Sequence, residues 1–181
     1  MDNLRKDWQD TSVSIRRDSE SYASIINGKR KTALQNLAER YRRFSNLALV
    51  LILLSFSWIF NPDMFPGNHG LRIAVGVSFA VYALMASIMD RWLYKGIQSI
   101  DIVVMPVSEV VRKALFYRKR HLQFIVVLLP IVLAIIAVMA WSMDNLYFRL
   151  GIVVGFIAGV AIGIRQLLAF LADYRAITSE D

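Results

Sequence analysis

The chain has 181 residues, of which 56% are hydrophobic and 19% are charged, and its net charge at neutral pH is +7. Soluble domains average roughly 45–50% apolar and 25% charged residues, so this composition argues against a soluble globular protein. The sequence has no cysteine, which excludes disulfide bonds and thiolate-bound metals.

The first 43 residues are mostly polar but carry isolated large apolar residues. In "MDNLRKDWQD", Leu4 and Trp8 lie one helical turn apart, and a few buried aromatic residues often dominate the energy of an interface. We expect Leu4 and Trp8 to contact a partner, with Tyr22, Ile25 and Ile26 of "SESYASIIN" in support. Docking on the protein's own surface or in the lipid interface remains an alternative for this segment.

A break in this segment is predicted near Gly28. Asn27-Gly28 resembles the end of a helix, and Thr32 followed by Gln35 fits a capping box that starts another. We therefore predict a short helix, a hinge, and a second helix that continues into the membrane. One long helix through Gly28 is the alternative. Because about forty polar residues precede the first apolar run, that run is expected to be a signal anchor rather than a cleaved leader.

Four long runs contain no Asp, Glu, Lys or Arg. A helix needs roughly 20 mainly apolar residues to cross the hydrocarbon layer of a membrane. The runs therefore predict an all-α polytopic membrane protein, whose four-helix transmembrane bundle occupies residues 44–172. Its spans are placed at 44–60, 71–91, 122–142 and 147–168.

The distribution of Lys and Arg predicts the orientation. Residues 1–43 contain ten of them and residues 90–121 contain seven, whereas residues 61–72 and 143–149 contain one each. Cytoplasmic loops are enriched in Lys and Arg. We expect residues 1–43, the segment before the third span and a C-terminal tail at 173–181 to be cytoplasmic.

The segment before the third span predicts a helix over residues 106–121, because Pro106 suits a first helical turn. Its apolar stripe from Val107 to Leu115 is expected to pack beneath the bilayer against Leu34, Leu37 and Tyr41. Basic residues at a membrane surface attract anionic lipid. The three predicted to contact lipid headgroups are Arg118, Lys119 and Arg120. The positive charge is therefore assigned to topology and membrane lipid, and no direct nucleic-acid partner is expected.

The last span carries a stripe of four glycines, Gly151, Gly155, Gly159 and Gly163. In a bilayer, small residues four apart allow two helices to approach closely. The favoured interpretation is that another helix of the same chain, most simply the third span, fills this face. The alternative is a homo-oligomer that packs through it.

Residues that could carry out chemistry are sparse. The charge-free runs of the first three spans hold no acidic or basic residue, which disfavours a small transporter or channel. His69 and His121 are isolated, and no nucleophile motif or metal-ligand spacing is present. We predict no enzymatic activity, no cofactor and no metal site.

The order of parts resembles small multi-span bacterial inner-membrane proteins of unknown or anti-sigma-factor-like type. The resemblance is carried by "MDNLRKDWQD", "GKRKTALQNLAERYRRFS" and "MPVSEVVRKALFYRKRHLQF". It implies a location in the bacterial inner membrane and a cytoplasmic segment that sequesters a transcription factor, here a sigma factor. The chain departs from that pattern by lacking a zinc-binding His-Cys-Cys motif and by having short outer loops.

These features together predict a non-enzymatic membrane protein whose cytoplasmic face binds a soluble partner. A structural or assembly subunit that uses the glycine face is the alternative, and a transporter is the third possibility.

Overall fold

The computed structural model describes residues 2–61, 65, 68–142 and 146–178, with side chains from residue 24 onward. The helices of this part of the chain are α1 (Asp2–Phe60), α2 (His69–Gln98), α3 (Val107–Ser142) and α4 (Leu146–Thr178). All four are long and apolar enough to cross a membrane. The prediction of an all-helical protein with four helices long and apolar enough to cross a membrane is confirmed.

Each helix runs antiparallel to its neighbours in the chain. α1 packs beside α2 and α4, and α3 packs beside the same two helices. The part of α1 from about residue 31 to 41, the α2–α3 loop and the end of α4 therefore meet at one end of the bundle. We call this the basal end, and we call the opposite end, which holds the α1–α2 connection, the distal end.

The hinge predicted near Gly28 is wrong. α1 is helical from Asp2 to Phe60 without interruption, which corresponds to roughly 88 Å at 1.5 Å per residue. Thr32 does not cap a new helix, because its Oγ1 donates to the carbonyl oxygen of Gly28 at 3.0 Å, one turn back in the same helix. A glycine inside a helix costs only about 1 kcal/mol relative to alanine, which the helical residues on both sides offset.

Within the predicted spans, α1 and α2 make the closest contact. The hydroxyl oxygens of Ser45 and Ser87 lie 3.1 Å apart, and the Ser45 hydroxyl is also 3.2 Å from the Ser87 carbonyl oxygen. Nearer the distal end, Gly76 of α2 faces the Ile59 side chain so closely that a Cβ there would overlap it. Small and hydroxyl residues thus join these two helices. Such residues are usual at contacts between membrane helices, because lipid supplies no hydrophobic driving force for packing.

The glycine stripe of α4 does not pack as expected. A Cβ placed at Gly151, Gly155, Gly159 or Gly163 would have no neighbouring atom within 4 Å. The favoured interpretation, in which the third span fills this face, is therefore corrected. α4 instead joins the bundle at its two ends: Ile152 packs on the distal core, and Phe170 lies in the basal core.

α3 and α4 extend beyond the predicted third and fourth spans. α3 begins directly after Pro106, whose carbonyl oxygen accepts from the backbone N–H of Glu109 at 2.9 Å and of Val110 at 3.2 Å. It then continues through Pro130 to Ser142, as the predicted rod does. The segment predicted as a C-terminal tail continues α4 as far as Thr178.

Candidate partner-binding site

The basal end has a hydrophobic core to which all four helices contribute. Leu34, Leu37 and Tyr41 of α1 share this core with Val110 and Ala114 of α3, which confirms the predicted contact between these two segments. The two ends of the predicted stripe are exceptions, because Val107 and Leu115 are exposed. α2 and α4 also contribute to this core, which the sequence pattern did not indicate; their residues are Leu93, Ile97, Phe170, Tyr174 and Ile177.

A tyrosine pair lies at the centre of the basal core. The hydroxyl oxygens of Tyr41 and Tyr174 are 3.0 Å apart and hydrogen-bonded, and both side chains are fully buried. The Tyr41 ring also packs against Phe170 at 4.8 Å and against the edge of His121 at 5.3 Å, measured between ring centroids. These contacts connect α1 with α3 and α4, so a displacement of α1 at this level must disturb both.

A charged pair joins α1 and α4 beside the tyrosines. Arg40 Nε donates to Asp173 Oδ2 at 3.0 Å, and Arg40 Nη1 donates to the amide oxygen of Gln166 at 3.2 Å. Asp173 lies beyond the predicted fourth span. Partial burial raises the pKa of its carboxyl group, and the Arg40 guanidinium partly offsets that rise. The pair is a further contact between α1 and α4 at the basal end.

A groove lies on the outer side of this core, between α1 and the segment where α2 ends. Its volume is about 470 Å³. We call it the basal groove. Its apolar floor includes Leu34 and Ile97, and charged side chains of both signs line it, among them Arg42 and Asp101. A concave surface with an apolar floor and a charged rim is suited to binding a side chain or helix of a partner.

The α2–α3 loop presents two valines at the edge of the basal groove. The loop is held by the Asp101 carboxylate, which accepts from the backbone N–H of Val103 at 2.8 Å, and by a bond from the Met105 N–H to the Asp101 carbonyl at 3.0 Å. Val103 is 88% exposed and Val104 is 80% exposed, and Val103 also lines the groove. The sequence signal for this feature is the apolar run "IDIVVMP" inside a charge-rich segment.

The predicted partner-binding residues divide into two groups. Leu4, Trp8 and Tyr22 lie on the helical backbone of α1 but outside the residues whose side chains are described. Ile25 is exposed and Ile26 is half-buried, and both precede Arg30, the first buried side chain of the described part. The structure brings neither isoleucine into the basal groove, which begins at Lys31.

The predicted lipid-contacting residues lie on α3 where it leaves the basal core. Lys119 and Arg120 are exposed and Arg118 is half-buried. They occupy the turn before Leu122, the first residue of the predicted third span.

Comparison of the chain with protein-family models, with curated proteins and with solved structures gives no match.

Proposed function

We infer that the protein is a non-enzymatic integral membrane protein that binds a soluble partner at its basal end. The observation that carries the proposal is the exposure of Val103 and Val104 beside the basal groove. Apolar side chains this exposed would be ordinary against lipid. Here they lie at the basal end, beside the charged residues that line the basal groove. An exposed apolar patch with a polar rim is typical of a protein–protein interface.

The same end of the molecule is proposed to face the cytoplasm. The two segments on that side of the bundle, residues 1–43 and 90–121, hold 17 of the 21 Lys and Arg residues of the chain. Retention of Lys and Arg on the cytoplasmic side supports this orientation. In a bacterial cell, the membrane would then be the inner membrane.

The anti-sigma-like resemblance suggests a class of partner, namely a sigma factor. The proposed contacts are Leu4 and Trp8 near the start of α1, supported by Tyr22, Ile25 and Ile26, together with the basal groove. α1 connects them physically, because one helix runs from Asp2 through the basal core to Phe60. A movement of the first span would therefore reach the N-terminal segment along a continuous rod.

Photo-cross-linking in living cells tests this function. A photo-reactive amino acid at Val103 should cross-link a cytoplasmic protein, which mass spectrometry then identifies. Trp141 is a matched control, because it is also 88% exposed but lies on the distal side of α3. A sigma factor cross-linked at Val103 and not at Trp141 supports a regulator of transcription.

Variants at the N-terminal contacts complete the test. Leu4→Ala and Trp8→Ala should each lower recovery of the cross-linked protein by about tenfold or more, since hot-spot residues contribute at least about 2 kcal/mol. Equal recovery in both variants would remove the N-terminal segment from the site. Absence of a cytoplasmic cross-link at Val103 would show that the basal groove is not part of the partner-binding site.

A second candidate function is assembly with another membrane protein or with further copies of the chain. It is favoured by the four glycines of α4, because a Cβ at any of them would meet no atom of another described part of the chain within 4 Å. Replacing Gly155 and Gly159 by leucine should then reduce the oligomer size in detergent without changing cross-linking at Val103. An unchanged oligomer size would argue against this candidate.

A further inference from the structure

Three consecutive cations on α3 have no carboxylate partner in the part of the chain that the structure describes. The ion pairs of that part involve Arg40, Arg43 and Lys113, and none involves residues 118–120. Arg120 donates to the amide oxygen of Gln123 at 3.3 Å, and its guanidinium lies 5.4 Å from the centre of the Phe116 ring. Neither contact neutralises its charge, so a net positive charge remains where α3 enters the predicted bilayer.

These cations line one end of a second groove, which we call the α3 groove. It has a volume of about 840 Å³, and its other end is lined by Leu122, Val126 and Val127. Met89 of α2 contributes to the wall from the neighbouring helix. The volume is within the roughly 300–1,000 Å³ of typical small-molecule sites. The groove is therefore charged toward the basal end and apolar toward the middle of the third span.

The order of charged and apolar residues along the α3 groove matches an amphipathic anion. A free phosphate would leave the apolar end unfilled, and a zwitterionic lipid would bring its own cation toward Arg118–Arg120. A soluble protein could not reach the apolar end, because Val126 and Val127 lie within the predicted span. Basic pockets between membrane helices are known to suit anionic headgroups.

We propose that the α3 groove is a binding site for one anionic phospholipid of the leaflet at the basal end. Its phosphate lies among Arg118, Lys119 and Arg120, and an acyl chain follows Leu122, Val126 and Val127. The proposal rests on insertion of the four helices in a membrane, but it does not depend on a soluble partner or on cross-linking at Val103.

Native mass spectrometry of the full chain in detergent tests the site. Dioleoylphosphatidylglycerol is added as the anionic probe, and dioleoylphosphatidylcholine or inorganic phosphate is added in parallel. One phosphatidylglycerol should be retained per chain, and neither of the other probes should be. Replacing all three cations by glutamine should lower retention at least about tenfold, because each cation near an anionic surface contributes roughly fivefold.

Two matched pairs of variants distinguish a specific lipid-binding site from a non-specific effect of positive charge. Val127→Trp keeps every charge but fills the groove, and it should also lose the lipid; Val138→Trp, on the same helix outside the groove, should not. Glutamine at the exposed residues Lys29, Arg112 and Arg175 removes the same charge elsewhere and should leave retention unchanged. Equal loss in this triple control, or equal retention of phosphatidylcholine, overturns the proposal. Displacement of the lipid by inorganic phosphate alone would show a simple anion site instead.

Discussion

At the scale of single residues, two glycines outside the α4 stripe, Gly76 and Gly96, lie where an added Cβ would overlap a neighbouring side chain. Gly96 of α2 faces the ring of Tyr117 of α3, and a Cβ would overlap three of its atoms. The ring has little room to move away, because Trp92 packs on it at 5.6 Å and Phe116 at 5.3 Å between centroids. The absence of a side chain at Gly96 thus allows α2 and α3 to meet at the basal end.

We predict that Gly96→Ala destabilises the protein. Overpacking a well-filled site costs about 1–3 kcal/mol, and the better helix propensity of alanine returns only about 1 kcal/mol. The free energy of unfolding should therefore fall by up to about 2 kcal/mol, measured by denaturant or thermal unfolding in detergent. Gly155→Ala is the matched control, because its added methyl group meets open space. The interpretation fails if Gly96→Ala unfolds at the same point as the wild-type protein.

Neither glycine could be distinguished by sequence from those of the stripe. The spacing of Gly151, Gly155, Gly159 and Gly163 is regular and predicts close packing, whereas Gly76 and Gly96 are isolated in sequence. Close approach is nevertheless found at the isolated glycines, because it depends on which face of α2 meets α1 and α3. Helical periodicity places residues on a face but does not select the helix opposite.

At the scale of elements, α1 is the longest helix and links the predicted partner contacts to the membrane. Its continuity through Gly28 was the less favoured of two sequence interpretations. The signals that suggested a stop, Asn27-Gly28 and the Thr32–Gln35 spacing, are local and weak. Buried contacts from Ala33 onward hold the helix in place on the C-terminal side of Gly28.

Spin-label distances test the continuity of α1. Because the chain has no cysteine, labels can be placed at Ser14→Cys and Asn36→Cys alone. A continuous helix predicts one narrow distance between the two backbone positions of about 33 Å, from 22 residues at 1.5 Å each. Adding Gly28→Pro should broaden the distribution, since proline removes a backbone donor and clashes with the preceding turn. A broad distance distribution without the proline would support the hinge near Gly28 instead.

At the scale of the whole molecule, the bundle has two unequal ends. The basal core draws on all four helices and includes a tyrosine hydrogen bond and an ion pair, whereas the distal core is smaller and centres on Val75, Ile135 and Met139. Between them, most large side chains of α3 and α4 are exposed and apolar. That pattern is typical of helices whose outer surface is solvated by lipid.

Reporter fusions test how the molecule is oriented. With both termini cytoplasmic, alkaline phosphatase fused after Gln98 or Asp181 should be inactive in a bacterial host, because the enzyme matures only outside the cytoplasm. The same enzyme fused after Asn61 should be active. Activity of the Asp181 fusion would contradict the orientation and, with it, the proposal of a soluble cytoplasmic partner.

The sequence by itself determined that the protein has four helices long and apolar enough to cross a membrane, because length and absence of charge are properties of each segment alone. It also predicted the α3 rod and the packing of Leu34, Leu37 and Tyr41, which follow from helical spacing. Only the tertiary structure decided that Tyr174 closes the basal core, that Val103 borders a groove and that a Cβ on the glycine stripe would meet no described neighbour within 4 Å. Those facts depend on the relative rotation and tilt of helices far apart in sequence, which no single segment specifies.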